Sequence, residues 1–140
     1  LMPAAPFERA KCRELVQYLE LHLELVARRI YPQAFFGKTV AQEVRDEVRT
    51  LLERNLQRTA GLIAFDPYVA GSAFSIADCT AWVHFPLIAR ATQAVYGEDM
   101  LAAALGGERV KRYMELIGSR PHARSVNDDR KRAVQAMAAK

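Results

Sequence analysis

Cysteine is scarce in this 140-residue chain: only Cys12 and Cys79 occur, and they form no CxxC pair. That rules out the disulfide framework of a small secreted domain and the ligand spacing of a structural zinc site. Histidine is equally thin. His22, His84 and His122 are scattered, so no metal-binding set is expected. No apolar run approaches the roughly 18 residues that a membrane-spanning helix needs. The opening Leu-Met-Pro-Ala-Ala-Pro-Phe-Glu-Arg has no basic region followed by an apolar block, so it does not read as a secretory signal. The 7 glycines and 6 prolines follow no three-residue period, which excludes a collagen-like chain. Charge of one sign is also lacking, the net value being only +4.

What is present is ordinary globular material. Apolar residues make up 51% and charged residues 26%, too apolar a balance for intrinsic disorder. The length suits a single domain, residues 1–140, able to bury about two-thirds of its unfolded surface. The basic excess sits late, in Lys111, Arg112, Arg120, Arg124, Arg130, Lys131 and Arg132, and Asp128 and Asp129 interrupt it. Without interleaved aromatics this reads as a solvated helix face rather than a nucleic-acid platform. The two thiols read as buried side chains in a reducing, cytoplasmic protein.

Hydrophobic periodicity predicts helices throughout and no strand. Leu15, Leu19, Leu23, Val26 and Ile30 recur at three- and four-residue steps, predicting a helix from about Pro6 to Ile30. Pro32 should end it, leaving Gln33 to Lys38 as a loop with Phe35 and Phe36 tucked inward. A second helix, from about Val40 to Ile63, carries the stripe Val40, Val44, Val48, Leu51, Leu52, Leu56 and Ile63. Thr39 and Gln42 are spaced as its capping box. A third, Ile76 to about Tyr96, contains Trp82 and Pro86 and is apolar on nearly every side, so it should be the buried centre. Shorter helices follow over Asp99 to Leu105 and Glu108 to Ile117, and a last one runs from Pro121 to a fraying end over Arg130 to Lys140. The expected class is all-α: an orthogonal bundle of about five to six helices around a buried central one.

Phe74-Ser75-Ile76-Ala77-Asp78-Cys79 is the strongest local signal. Ser75 stands at the N-cap and Asp78 at the third helical position, so each can satisfy the other's backbone N–H. Phe74 could pack on Cys79 as a hydrophobic staple. With the preceding Tyr68-Val69-Ala70-Gly71-Ser72-Ala73, this string resembles the loop and buried-helix start of the glutathione transferase C-terminal domain. The helix order and Tyr113-Met114-Glu115 to Arg120-Pro121 are similar to that family as well.

The resemblance implies a parent protein in which an N-terminal thioredoxin-like domain, absent from this chain, binds glutathione and carries the thiol-activating residue. No catalytic residue is therefore expected here, and no cofactor is expected in the chain itself. Beginning at Leu1, the chain reads as the C-terminal part of a longer protein. It would contribute to a homodimer and supply a wall for a small hydrophobic electrophile. On that wall, in the first helix, Arg13, Gln17, Tyr18 and His22 are the candidate binding residues, Tyr18 and His22 lying one turn apart. The alternative is a non-catalytic interaction module of the same shape.

Overall fold

A computed structural model describes residues 1–138. Among them the regular structure is helical, and the only β-type pairing is an isolated bridge between Tyr68 and Gly71. The elements are α1 (Pro6–Gln17), a π-helical stretch (Tyr18–Glu24), α2 (Leu25–Ala27), a 3₁₀ turn (Arg28–Ile30), α3 (Tyr31–Phe36), α4 (Gln42–Leu62), α5 (Ile76–Tyr96), α6 (Met100–Leu105), α7 (Gly107–Gly118) and α8 (Pro121–Ala138). From Pro6 to Ile30 the chain is helical without interruption, but it widens at Tyr18 and tightens at Arg28. Its core-facing residues are Cys12, Leu15, Leu19, Leu23, Ala27 and Ile30.

Pro32 does not introduce a loop. It sits in the first turn of α3, where a missing N–H costs nothing. The expected loop is therefore helical as far as Phe36, and Gly37 ends it in the left-handed conformation with φ of 63°. Phe35 packs against the core, whereas Phe36 is 69% exposed rather than tucked inward. The Thr39–Gln42 capping box does not form either. Ala41 occupies the N-cap of α4 without a side-chain bond. The Gln42 amide donates instead to Asp46 Oδ1 at 2.7 Å, further along the helix.

α5 runs over the predicted residues, with Pro86 inside it. It touches α1, the π-helical stretch, α2, α3, α6 and α7, and so forms the centre of the bundle. Ala77, Ala81, Trp82, Phe85, Ile88 and Ala91 are its buried stripe. Val83, His84, Pro86 and Leu87 are only partly covered, so one side of the central helix stays half open. α4 packs along the second half of the first helix and against α6. α8 rests mainly on α7, and most of its described side chains are exposed. No described helix is long and apolar enough to cross a membrane.

Candidate functional site

The four residues expected to face a substrate lie where α1 passes into the π-helical stretch. Arg13 and Gln17 are exposed and make no side-chain hydrogen bond among the described residues. Tyr18 is half buried, and its ring lies 4.6 Å from that of exposed His22, centroid to centroid, at a tilt of 38°. The structure thus brings Tyr18 and His22 together and leaves Arg13 and Gln17 in solvent. The Tyr18 hydroxyl is shielded and has no hydrogen-bond partner among the described residues. That is a costly state for a phenol.

The local backbone is held from α4. In the π-helical stretch the Leu25 N–H donates to the Glu20 carbonyl, five residues back. Such a change of register disturbs the regular ladder of carbonyls. Asn55, 2% exposed on α4, meets the His22 carbonyl with its side-chain amide at 2.7 Å.

Two clefts among the described residues lie away from them. One, about 390 Å³, lies between α3 and α5 and includes Phe35, Arg90 and Gln93. Another, about 270 Å³, lies between α1 and the end of α4 and includes Lys11, Glu14 and Leu62. Arg13, Gln17, Tyr18 and His22 line neither.

Ser75 and Asp78 form a buried network at the head of α5. Asp78 Oδ2 accepts from the Ser75 N–H at 2.8 Å, and Ser75 Oγ accepts from the Ala77 N–H at 3.3 Å. Asp78 Oδ1 reaches outward: it accepts from the Val69 N–H at 2.9 Å and from the Tyr113 hydroxyl at 3.1 Å. One carboxylate therefore ties the helix start to the preceding loop and to α7. Burial, with the Asp78 charge beside it, pushes the Tyr113 phenol far above its ordinary range, so the hydroxyl stays a donor.

The ring of Phe74 meets the Tyr68 ring at 5.8 Å, and the Arg120 guanidinium sits 3.8 Å above its centroid. Cys79 is exposed, contrary to the expected pair of buried thiols; Cys12 is buried. What burial Cys79 has raises its pKa, which lowers its thiolate fraction and argues against a nucleophilic role.

A polar cluster that the sequence reading missed lies at the far end of the π-helical stretch. Glu24 is 6% exposed and takes both of its hydrogen bonds from Arg28, at 2.9 Å each. His84 on α5 and Tyr31 on α3 border this carboxylate, and the His84 Nδ1 and the Tyr31 hydroxyl are shielded without partners among the described residues. The i,i+4 Glu–Arg spacing was the one available signal. No group of three or more His, Cys, Asp or Glu able to hold a metal occurs among the described residues.

A bundle of helices wrapped on a capped central helix, with an aromatic pair on its first helix, makes this an all-helical domain. No family model matches the chain. It is 32% identical over 136 residues, 97% of its length, to a protein named glutathione S-transferase from Pseudomonas putida (strain F1). The chain is similar to that protein along nearly its whole length, and its all-helical fold is the one expected of a glutathione transferase C-terminal domain. It spans 60% of the length of that relative.

Proposed function

We propose that this chain is the acceptor-substrate and dimer-interface domain of a cytoplasmic, homodimeric protein that uses glutathione. The observation that carries the reading is the match along 97% of the chain to a protein named glutathione S-transferase. In this reading a thioredoxin-like N-terminal domain binds glutathione and lowers the pKa of its thiol. The thiolate then attacks a small hydrophobic electrophile. The helical domain holds that electrophile against Tyr18 and His22, with Arg13 and Gln17 at the rim. The exposed His22 ring, stacked on Tyr18, supports this by offering an aromatic surface at that point. Catalysis itself comes from outside the chain.

The test is steady-state conjugation of glutathione to a chloronitroarene by the complete gene product. Tyr18→Phe and His22→Ala should raise KM for the arene several-fold and leave KM for glutathione unchanged. Equal effects on both substrates would remove these residues from the acceptor wall. Complete absence of glutathione-dependent turnover would favour the non-catalytic interaction module.

A further inference from the structure

A cleft of about 220 Å³ opens between the loop that follows α4 and the exposed side of α7, lined by Phe65, Pro67, Arg109, Arg112, Tyr113 and Leu116. Its floor is aromatic. The Phe65 ring stands edge-on to Tyr113 at 5.2 Å, and Tyr113 is buried with its hydroxyl committed to Asp78. Phe65 is the one non-glycine residue at positive φ among those described, at 51°. A bulky side chain in the left-handed region is strained and persists only where its surroundings hold it there. Here the Ala64 N–H donates to the Val69 carbonyl at 2.9 Å and the Asp66 N–H to the Tyr68 carbonyl at 3.2 Å, which fixes the loop around it.

The wall of the cleft is cationic. Arg109 and Arg112 are three residues apart on α7 and therefore share a face. Neither pairs with a carboxylate among the described residues, although Glu108 and Glu115 are near in sequence and Asp66 lies on the facing loop between Phe65 and Pro67. Arg109 and Phe65 also line a smaller hollow of about 40 Å³, with Ala104 and Leu105. The surrounding charge is one-sided. Residues 107–138 hold eight Lys and Arg against four Asp and Glu, whereas residues 1–105 hold eleven against twelve.

We propose that this cleft is a docking site for an acidic peptide segment carrying one large apolar anchor. The anchor seats between Pro67 and Leu116 over the aromatic floor. Its flanking carboxylates take the two free guanidinium groups, which suit planar bidentate recognition. The cationic α7–α8 end steers the acidic partner toward the cleft. This site is separate from the Tyr18–His22 pair and does not depend on the transferase reading.

The test uses the intact chain and a fluorescein-labelled peptide with a central phenylalanine between paired glutamates, followed by anisotropy at low salt. Binding is expected to weaken about tenfold or more in an Arg109→Glu/Arg112→Glu variant whose circular dichroism is unchanged, and to weaken as salt rises. A control peptide with glutamine in place of glutamate, and one with serine in place of phenylalanine, should each bind far more weakly. No binding, equal binding to the charge-reversed variant, or equal binding of either control peptide would overturn the proposal. So would displacement of the peptide by a single-stranded oligonucleotide at lower concentration, which would make the face a nucleic-acid surface.

Discussion

The side-chain amide of Asn55 donates to the main-chain carbonyl of His22 at 2.7 Å, joining α4 to the π-helical turn that carries the Tyr18–His22 pair. Asn55 is buried, so water cannot take its place. Asn55→Ala should destabilise the chain by about 1–3 kcal/mol, the usual cost of leaving a buried polar group unsatisfied. Urea unfolding checks this. A midpoint within error of wild type would mean that the π-helical turn is set by its own residues.

Asp78 stands at the meeting of four donors on three segments: the Val69 N–H, the Ser75 N–H and hydroxyl, and the Tyr113 hydroxyl. Losing Ser75 Oγ removes one capping acceptor, and Ser75→Ala should cost about 0.5–2 kcal/mol. Asp78→Ala removes the acceptor of all four in a dry site and should cost about 3 kcal/mol or more. A double-mutant cycle between Asp78→Asn and Tyr113→Phe should give a coupling of about 1 kcal/mol, because the residues share one hydrogen bond. Strict additivity would show that the Tyr113 contact contributes nothing.

The central helix was legible because both its ends are written locally. Ser75 and Asp78 mark its start, and Gly97 stops it in the left-handed conformation. The first helix was half legible. The spacing of Leu15, Leu19, Leu23 and Ile30 gave the buried face, but nothing in that spacing announces the widening at Tyr18. The widened turn is supported by Asn55, 33 residues away. Thr39 and Gln42 show the opposite failure. The local motif is present, yet Gln42 is drawn to Asp46 and the box stays open. Of the candidate site, the Tyr18–His22 pairing followed from helical spacing. The Glu24–Arg28–His84 cluster did not, since a buried carboxylate on a leucine-rich face is visible only once α5 is laid against it.

Arg130 places its guanidinium 4.7 Å from the Trp82 ring centroid and so ties α8 to the central helix. Few other side chains of α8 are covered; Ala123 is its one buried apolar residue among those described. Arg130→Ala should cost only about 0.5–1 kcal/mol globally. Locally the effect should be larger, because a helix with few buried contacts opens on its own. Amide exchange should speed up along α8 and stay unchanged in α5. Uniform acceleration in both would mean that α8 is an integral part of the bundle.

Burial lowers the pKa of His84 from its ordinary value of 6.5, and the nearby Glu24 and Glu20 carboxylates only partly offset this; Arg28 adds to the lowering. The unfolded chain therefore binds a proton at His84 more readily than the folded one. Stability is then complete above about pH 6.5 and falls as the pH drops below that value, until the folded-state imidazole also protonates. Thermal melts taken between neutral and mildly acid pH should show this decline. His84→Gln, which cannot take up a proton, should flatten the curve in that window and leave the carboxylate-driven loss at lower pH in place. A variant with the same slope as wild type would move the acid sensitivity to another group.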